Sequence, residues 1–166
     1  MWAPDYAQRE VKEKNWGFFE IAGELYTVYS LCPFVVLRVD GSNVQFVSKH
    51  EWQSPWQSGV MRGGAAPVRV GEEWYCFFHG VDPRDRRYTV GCLVFDGEFR
   101  PKRCTRWPII TPSDANRPAS VTNSAWNPFG AYLDGDVFVL SGGCHDHWIE
   151  VHRYNASDVE GAMEVV

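Results

Sequence analysis

The residues best suited to chemistry are scattered donors. Arg62 stands immediately before Gly63-Gly64, His79 closes the aromatic run Trp74-Tyr75-Cys76-Phe77-Phe78, and Tyr88 follows the charged stretch Asp82-Pro83-Arg84-Asp85-Arg86-Arg87. Lys14 and Asn15 stand together near the N-terminus. Two cations, an imidazole and a phenol would offer charge-assisted hydrogen bonds to an anion if the fold gathered them in one place. Each residue also has a plainer reading. Arg62 could be a turn arginine packed over a strand end, His79 a hydrogen-bonded core histidine and Tyr88 an ordinary strand aromatic. The run Arg84 to Arg87 reads as a solvated hairpin loop. His145-Asp146-His147, with His152 beyond, suggests a metal, because strand residues at i and i+2 share a face. Zinc needs three or four ligands, however, and the intervening carboxylate alternates to the opposite face, so no metal and no cofactor is expected.

These side chains must be positioned by strands. Period-two runs rich in Val, Tyr, Phe and Trp recur between Gly, Asp and Pro punctuation, and no long stretch holds an apolar i, i+3, i+4 pattern. Three segments repeat one design: Gly23 to Ser30, Gly71 to His79 and Gly135 to Ser141 each enter an aromatic strand from a glycine and acidic turn. A strand precedes each (Trp16 to Ile21, Ala65 to Val70, Phe129 to Leu133) and another follows (Phe34 to Val39, Tyr88 to Phe95, Trp148 to His152). Such meanders, recurring at about fifty to sixty residues, are the pattern of propeller blades. The expected fold is therefore all-β, a single domain over residues 1–166 forming a partial β-propeller of about three four-stranded antiparallel blades. Residues 1–12 are expected to be a flexible arm and Arg100 to Asn127 an inter-blade loop. A β-sandwich with similar hairpins is the alternative. Propellers commonly close with four to eight blades, so missing blades or blades supplied in trans are expected. Open blade edges invite pairing, which makes a homo-oligomer or a covering partner chain the expected arrangement.

Composition narrows the function classes. The net charge of −5, with sixteen Lys and Arg dispersed along the chain, provides no basic stripe for nucleic acid. No stretch approaches the roughly eighteen apolar residues of a membrane span, and a cytoplasmic location is expected. Five cysteines without a CxxC pair are expected to be buried thiols. The sequon Asn155-Ala156-Ser157 is given no role.

Six short motifs then add a resemblance: Glu13-Lys14-Asn15-Trp16, Arg62-Gly63-Gly64-Ala65-Ala66-Pro67-Val68, Phe78-His79-Gly80, Tyr88-Thr89-Val90-Gly91, Asn127-Pro128-Phe129-Gly130-Ala131 and Gly143-Cys144-His145-Asp146. In order and approximate spacing, from about Glu13 to Val151, the chain resembles glycoside hydrolase family 130, the β-mannoside phosphorylases and related hydrolases. The resemblance implies three C-terminal blades of a five-bladed propeller whose central funnel binds a mannoside and, in the phosphorylases, inorganic phosphate. It implies substrate or phosphate contacts by Lys14, Asn15, Arg62, His79, Tyr88 and Asp146, with Trp16, Trp126 or Trp148 offering an apolar face to a sugar ring. The family's proton-donating Asp belongs to an earlier blade with no counterpart here. Glycosidic cleavage needs an acid together with a base, nucleophile or phosphate, so sugar and phosphate binding without a complete catalytic site is the expected function. The alternatives are a non-enzymatic self-associating fragment and a degenerate remnant.

Overall fold

The computed structural model describes residues 15–121 and 124–166. Lys14 and the expected arm at residues 1–12 lie outside the described residues. Among the described residues, thirteen strands form three antiparallel sheets, the architecture of partial propeller blades. The first sheet runs in sequence order, β1 (Gly17–Ile21), β2 (Glu24–Leu31), β3 (Phe34–Asp40) and β4 (Asn43–His50). The second contains β5 (Val60–Gly64), β6 (Val68–Val70), β7 (Glu73–Val81), β8 (Tyr88–Asp96) and β9 (Pro101–Thr105), with β5 and β6 both paired to β7. The third is β10 (Trp126–Asp134), β11 (Val137–Cys144) and β12 (Trp148–Asn155). The chain then forms α1 (Ala156–Gly161) and returns as β13 (Met163–Val165), which pairs with β9 of the second sheet rather than adding a fourth strand to the third.

The glycine turns are the local cause of the meanders. Gly23, Gly71 and Gly135 have φ of +82°, +62° and +65°, the left-handed backbone that tight hairpins require and glycine adopts without a Cβ penalty. The second sheet lies between the other two, and its long strands β7 and β8 are correspondingly buried over seven consecutive residues each. Along β7, Trp74, Cys76 and Phe78 meet Phe19, Val28, Phe34 and Val36 of the first sheet. Tyr75 and Phe77 alternate to the other side and pack on Trp126, Phe138 and Leu140 of the third. Phe138 is fully buried, with its ring 5.1 Å from those of both Tyr75 and Phe77. Each such side chain contributes about 1.5–3 kcal/mol of burial. Arg103 ties α1 to the sheet edge, donating to both carboxylate oxygens of Glu73 (3.0 and 2.7 Å) and to Glu160 (3.2 Å).

Three expectations require correction. The expected loop from Arg100 to Asn127, a segment rich in Pro, Thr, Ser and Asn, contains β9, whose Cys104 and Thr105 are buried. The fourth strand expected of the first blade had no segment assigned to it and is β4, which as an outer strand has weak alternation and mostly exposed residues. Of the five cysteines, none is in a disulfide, and Cys32 is exposed in the turn between β2 and β3 rather than buried. Burial pushes the thiols of Cys76 and Cys104 up to about 12. No helix among the described residues is long and apolar enough to cross a membrane.

Candidate functional site

Strand register gathers three of the expected residues on one face. Arg62 of β5 lies directly opposite His79 of β7. Val81, two residues on and therefore on the same face, lies opposite Tyr88 of β8. His79 and Tyr88 are thus diagonal neighbours, close enough for large side chains to meet. Their rings stack, with centroids 5.5 Å apart and planes inclined by 13°. This face turns toward the third sheet but runs past its cover, leaving a hollow of about 290 Å³ lined by Val60, Arg62, Val81, Asp82, Pro83, Arg86 and Tyr88. Arg62 is exposed, Tyr88 is half-buried and His79 is 1% exposed. His79 therefore supports the Tyr88 ring from beneath rather than forming the wall.

The Arg-Gly-Gly motif has a local structural reason. The register of β5 on β7 shifts between Arg62 and Gly64, a bulge at Gly63. A Cβ on Gly63 would collide with the backbone carbonyl of Asn15. A Cβ on Gly64 would come within 2.5 Å of the Phe77 carbonyl and 2.6 Å of the Pro128 ring. Asn15, exposed and left-handed at φ +63°, is thereby seated beside Arg62 through its backbone.

Asp146 is placed elsewhere. It is the second central residue of the turn joining β11 to β12, where His145 and Asp146 both have φ of +56° and the amide of His147 donates to the Cys144 carbonyl at 3.0 Å. These are the features of a type I′ hairpin turn. Asp146 lines a different hollow, of about 340 Å³, with Phe129, Gly143, His147, Trp148 and Ile149 on the outer side of the third sheet. His145 is buried and structural: its Nδ1 accepts from the Ala125 amide at 3.2 Å, so its Nε2–H donates to the Ser113 carbonyl at 3.0 Å. Among the described residues, no three His, Cys, Asp or Glu side chains are grouped to hold a metal ion.

The aromatic platforms divide similarly. Trp126 is fully buried, and its indole donates to Glu150 at 3.0 Å, so it cannot carry a sugar ring. Trp16 packs on Tyr29 at 5.4 Å, and Trp148 borders the Asp146 hollow. Sequence reasoning missed Glu150 altogether. Its Oε1 accepts from Trp148 at 2.9 Å, and its Oε2 accepts from Trp126 and is 3.0 Å from His152 Nε2. These contacts, Trp148 foremost, hold its carboxyl down at about 2.

The sequence profile described as β-1,4-mannooligosaccharide phosphorylase matches residues 29–165. The chain belongs to glycoside hydrolase family 130. No curated protein matches this family 130 chain in sequence. Among solved structures it resembles the β-1,2-mannobiose phosphorylase of Listeria innocua, crystallised with β-1,2-mannobiose, at a TM-score of 0.73 and 20% identity, over 91% of this chain and 46% of the phosphorylase. It also resembles a glycosyl hydrolase from Bacteroides ovatus, at a TM-score of 0.66 and 14% identity, over 87% of this chain and 49% of that one. Likeness at such low identity establishes the fold. The family 130 chain spans about half the length of these structures.

Proposed function

We propose that this chain carries one half of a mannoside- and phosphate-handling site, binding ligand without completing catalysis by itself. The observation that carries the reading is the shared face of Arg62, His79 and Tyr88 at the hollow beside the third sheet. In this reading the Arg62 guanidinium and the Tyr88 hydroxyl donate to phosphate oxygens, and His79 fixes the phenol by stacking. Asn15, whose backbone abuts Gly63, contributes from beside Arg62, and Lys14 is a further proposed cation for the same anion. At their separate hollow on the third sheet, Asp146 and Trp148 supply a carboxylate acceptor and an indole face to a sugar. The family's proton donor has no counterpart in the chain, so cleavage awaits the remainder of the fold. Free thiols fit the proposed cytoplasmic setting. Isothermal titration with inorganic phosphate and with mannobiose tests the reading. Saturable phosphate binding weakened in Arg62→Ala and Tyr88→Phe is the expected result, and binding unchanged in both variants contradicts it.

A second reading, self-association, is favoured by the outer faces of the stack. Phe129, Tyr132, Ile149 and Val151 on the third sheet are 62%, 55%, 72% and 63% exposed, and Phe46 on the first is 54% exposed. Apolar sheet faces of this kind call for cover. In this reading a second copy supplies it, and light scattering at micromolar concentration should give a dimer that Ile149→Glu converts to monomer. A wild-type monomer refutes the pairing.

A further inference from the structure

The loop from Asp82 to Arg87 holds three arginines of different standing. Arg84 is captured by Asp82: its amide donates to Oδ1 at 2.9 Å, Nε to Oδ1 at 3.0 Å and Nη2 to Oδ2 at 2.6 Å. Arg84 accordingly holds the Asp82 carboxyl down at about 2. Arg87 is captured in the same way, its amide donating to Asp85 Oδ1 at 2.9 Å and its Nη2 to Asp114 Oδ2 at 3.0 Å. Each captured arginine stands two residues after an aspartate. Arg86 does not, and among the described residues its guanidinium has no ion pair or hydrogen-bonded side-chain partner, nor does that of Arg62.

The backbone presents Arg86 deliberately. Its amide donates to the Asp82 carbonyl at 2.9 Å, the Asp82 amide donates to the Arg87 carbonyl at 3.0 Å, and Arg86 itself is held at φ +56°. That left-handed conformation is unfavourable for a residue with a Cβ, and such strain is concentrated at ligand sites. The loop thereby brings Arg86 to the hollow that Arg62 and Tyr88 also line. The one carboxylate in that wall, Asp82, already has both oxygens engaged by Arg84. Two uncompensated guanidiniums and a phenol therefore face one space.

We propose that Arg86 is a second anion-binding cation, closing over a tetrahedral oxyanion opposite Arg62. The ligand is free phosphate or the phosphate monoester of a sugar. The inference rests on the reading of Arg62 and Tyr88 as phosphate ligands and adds a residue to it. Titration of inorganic phosphate and, separately, mannose 1-phosphate into wild type, Arg62→Ala, Arg86→Ala, Arg86→Gly and Arg84→Ala tests it. Loss of a charge-assisted contact should weaken binding by at least about tenfold in both Arg86 variants. Arg84→Ala should change it far less. Arg86→Gly relieves the left-handed strain, so its melting temperature should equal or exceed that of wild type while its affinity falls, a combination that a merely structural arginine would not produce. Tighter binding of the inorganic ion would make free phosphate the ligand, and tighter binding of the ester would make it the sugar phosphate. Binding lost in Arg62→Ala but retained in Arg86→Gly overturns the role of Arg86 alone. Absence of wild-type binding to either titrant at millimolar concentration overturns the phosphate reading and this inference together.

Discussion

Replacing Glu150 by glutamine should destabilise the third sheet in a pH-dependent way. The carboxylate gathers two indoles and an imidazole: Trp148 on Oε1, and Trp126 and His152 on Oε2. Its carboxyl falls from the ordinary glutamate value of 4.5 to about 2. At about 1.4 kcal/mol per tenfold change in acidity, this corresponds to about 3 kcal/mol of preference for the charged form in the folded state. The side chain is 35% exposed. Solvent screening therefore leaves about 1–2 kcal/mol as the net contribution. Because the folded-state value is depressed, the stabilisation is fully present above 4.5 and is lost as pH falls through about 2. Glu150→Gln keeps the shape, but its amide group turns donors toward donors. Urea denaturation of wild type and variant at several pH values should show a gap of about 1–2 kcal/mol at about pH 7, shrinking as the acid limb is entered. A gap that persists unchanged to about pH 3, or no gap at neutrality, would refute the reasoning.

Other changes probe other layers of the fold. Phe138→Ala empties a fully buried site between the second and third sheets and should cost about 3–5 kcal/mol in chemical denaturation. Ala22 precedes Gly23 in the hairpin between β1 and β2 with φ of +52°. Ala22→Asn should therefore raise stability by up to about 1 kcal/mol, since asparagine tolerates the left-handed region that alanine resists. Gly63→Ala drives a Cβ into the Asn15 backbone. It should lower the melting temperature and weaken phosphate binding, through displacement of the segment beside Arg62 rather than loss of a donor.

The central strands were legible because both of their signals are local. The turn glycines at 23, 71 and 135 mark backbone reversals, and the aromatic runs behind them are long enough to be buried on both sides, as β7 and β8 are. The outer strands were less so. Strand β4 lies at the exposed edge and keeps little alternation, and β9 opens with Pro101-Lys102-Arg103, a polar run whose partners, Glu73 and Glu160, are 30 and 57 residues away. The return of β13 to β9 depends on a pairing that no local pattern encodes. At the site, Arg62, His79 and Tyr88 come together because register, a property of two strands at once, puts them on one face. The fate of Trp126 turned on its indole N–H, which found Glu150 in the interior instead of leaving the ring open to a sugar. Arg86 did carry a local sign, being the one arginine of its loop that does not follow an aspartate by two residues.

The most direct test of the proposed half-site is a crystal structure of the chain grown or soaked with inorganic phosphate and mannobiose. The account predicts tetrahedral density within hydrogen-bonding distance of the Arg62 guanidinium and the Tyr88 hydroxyl, with His79 still stacked beneath the phenol. Clear ligand density at another place, with the hollow between β5 and β8 left to solvent, would contradict it.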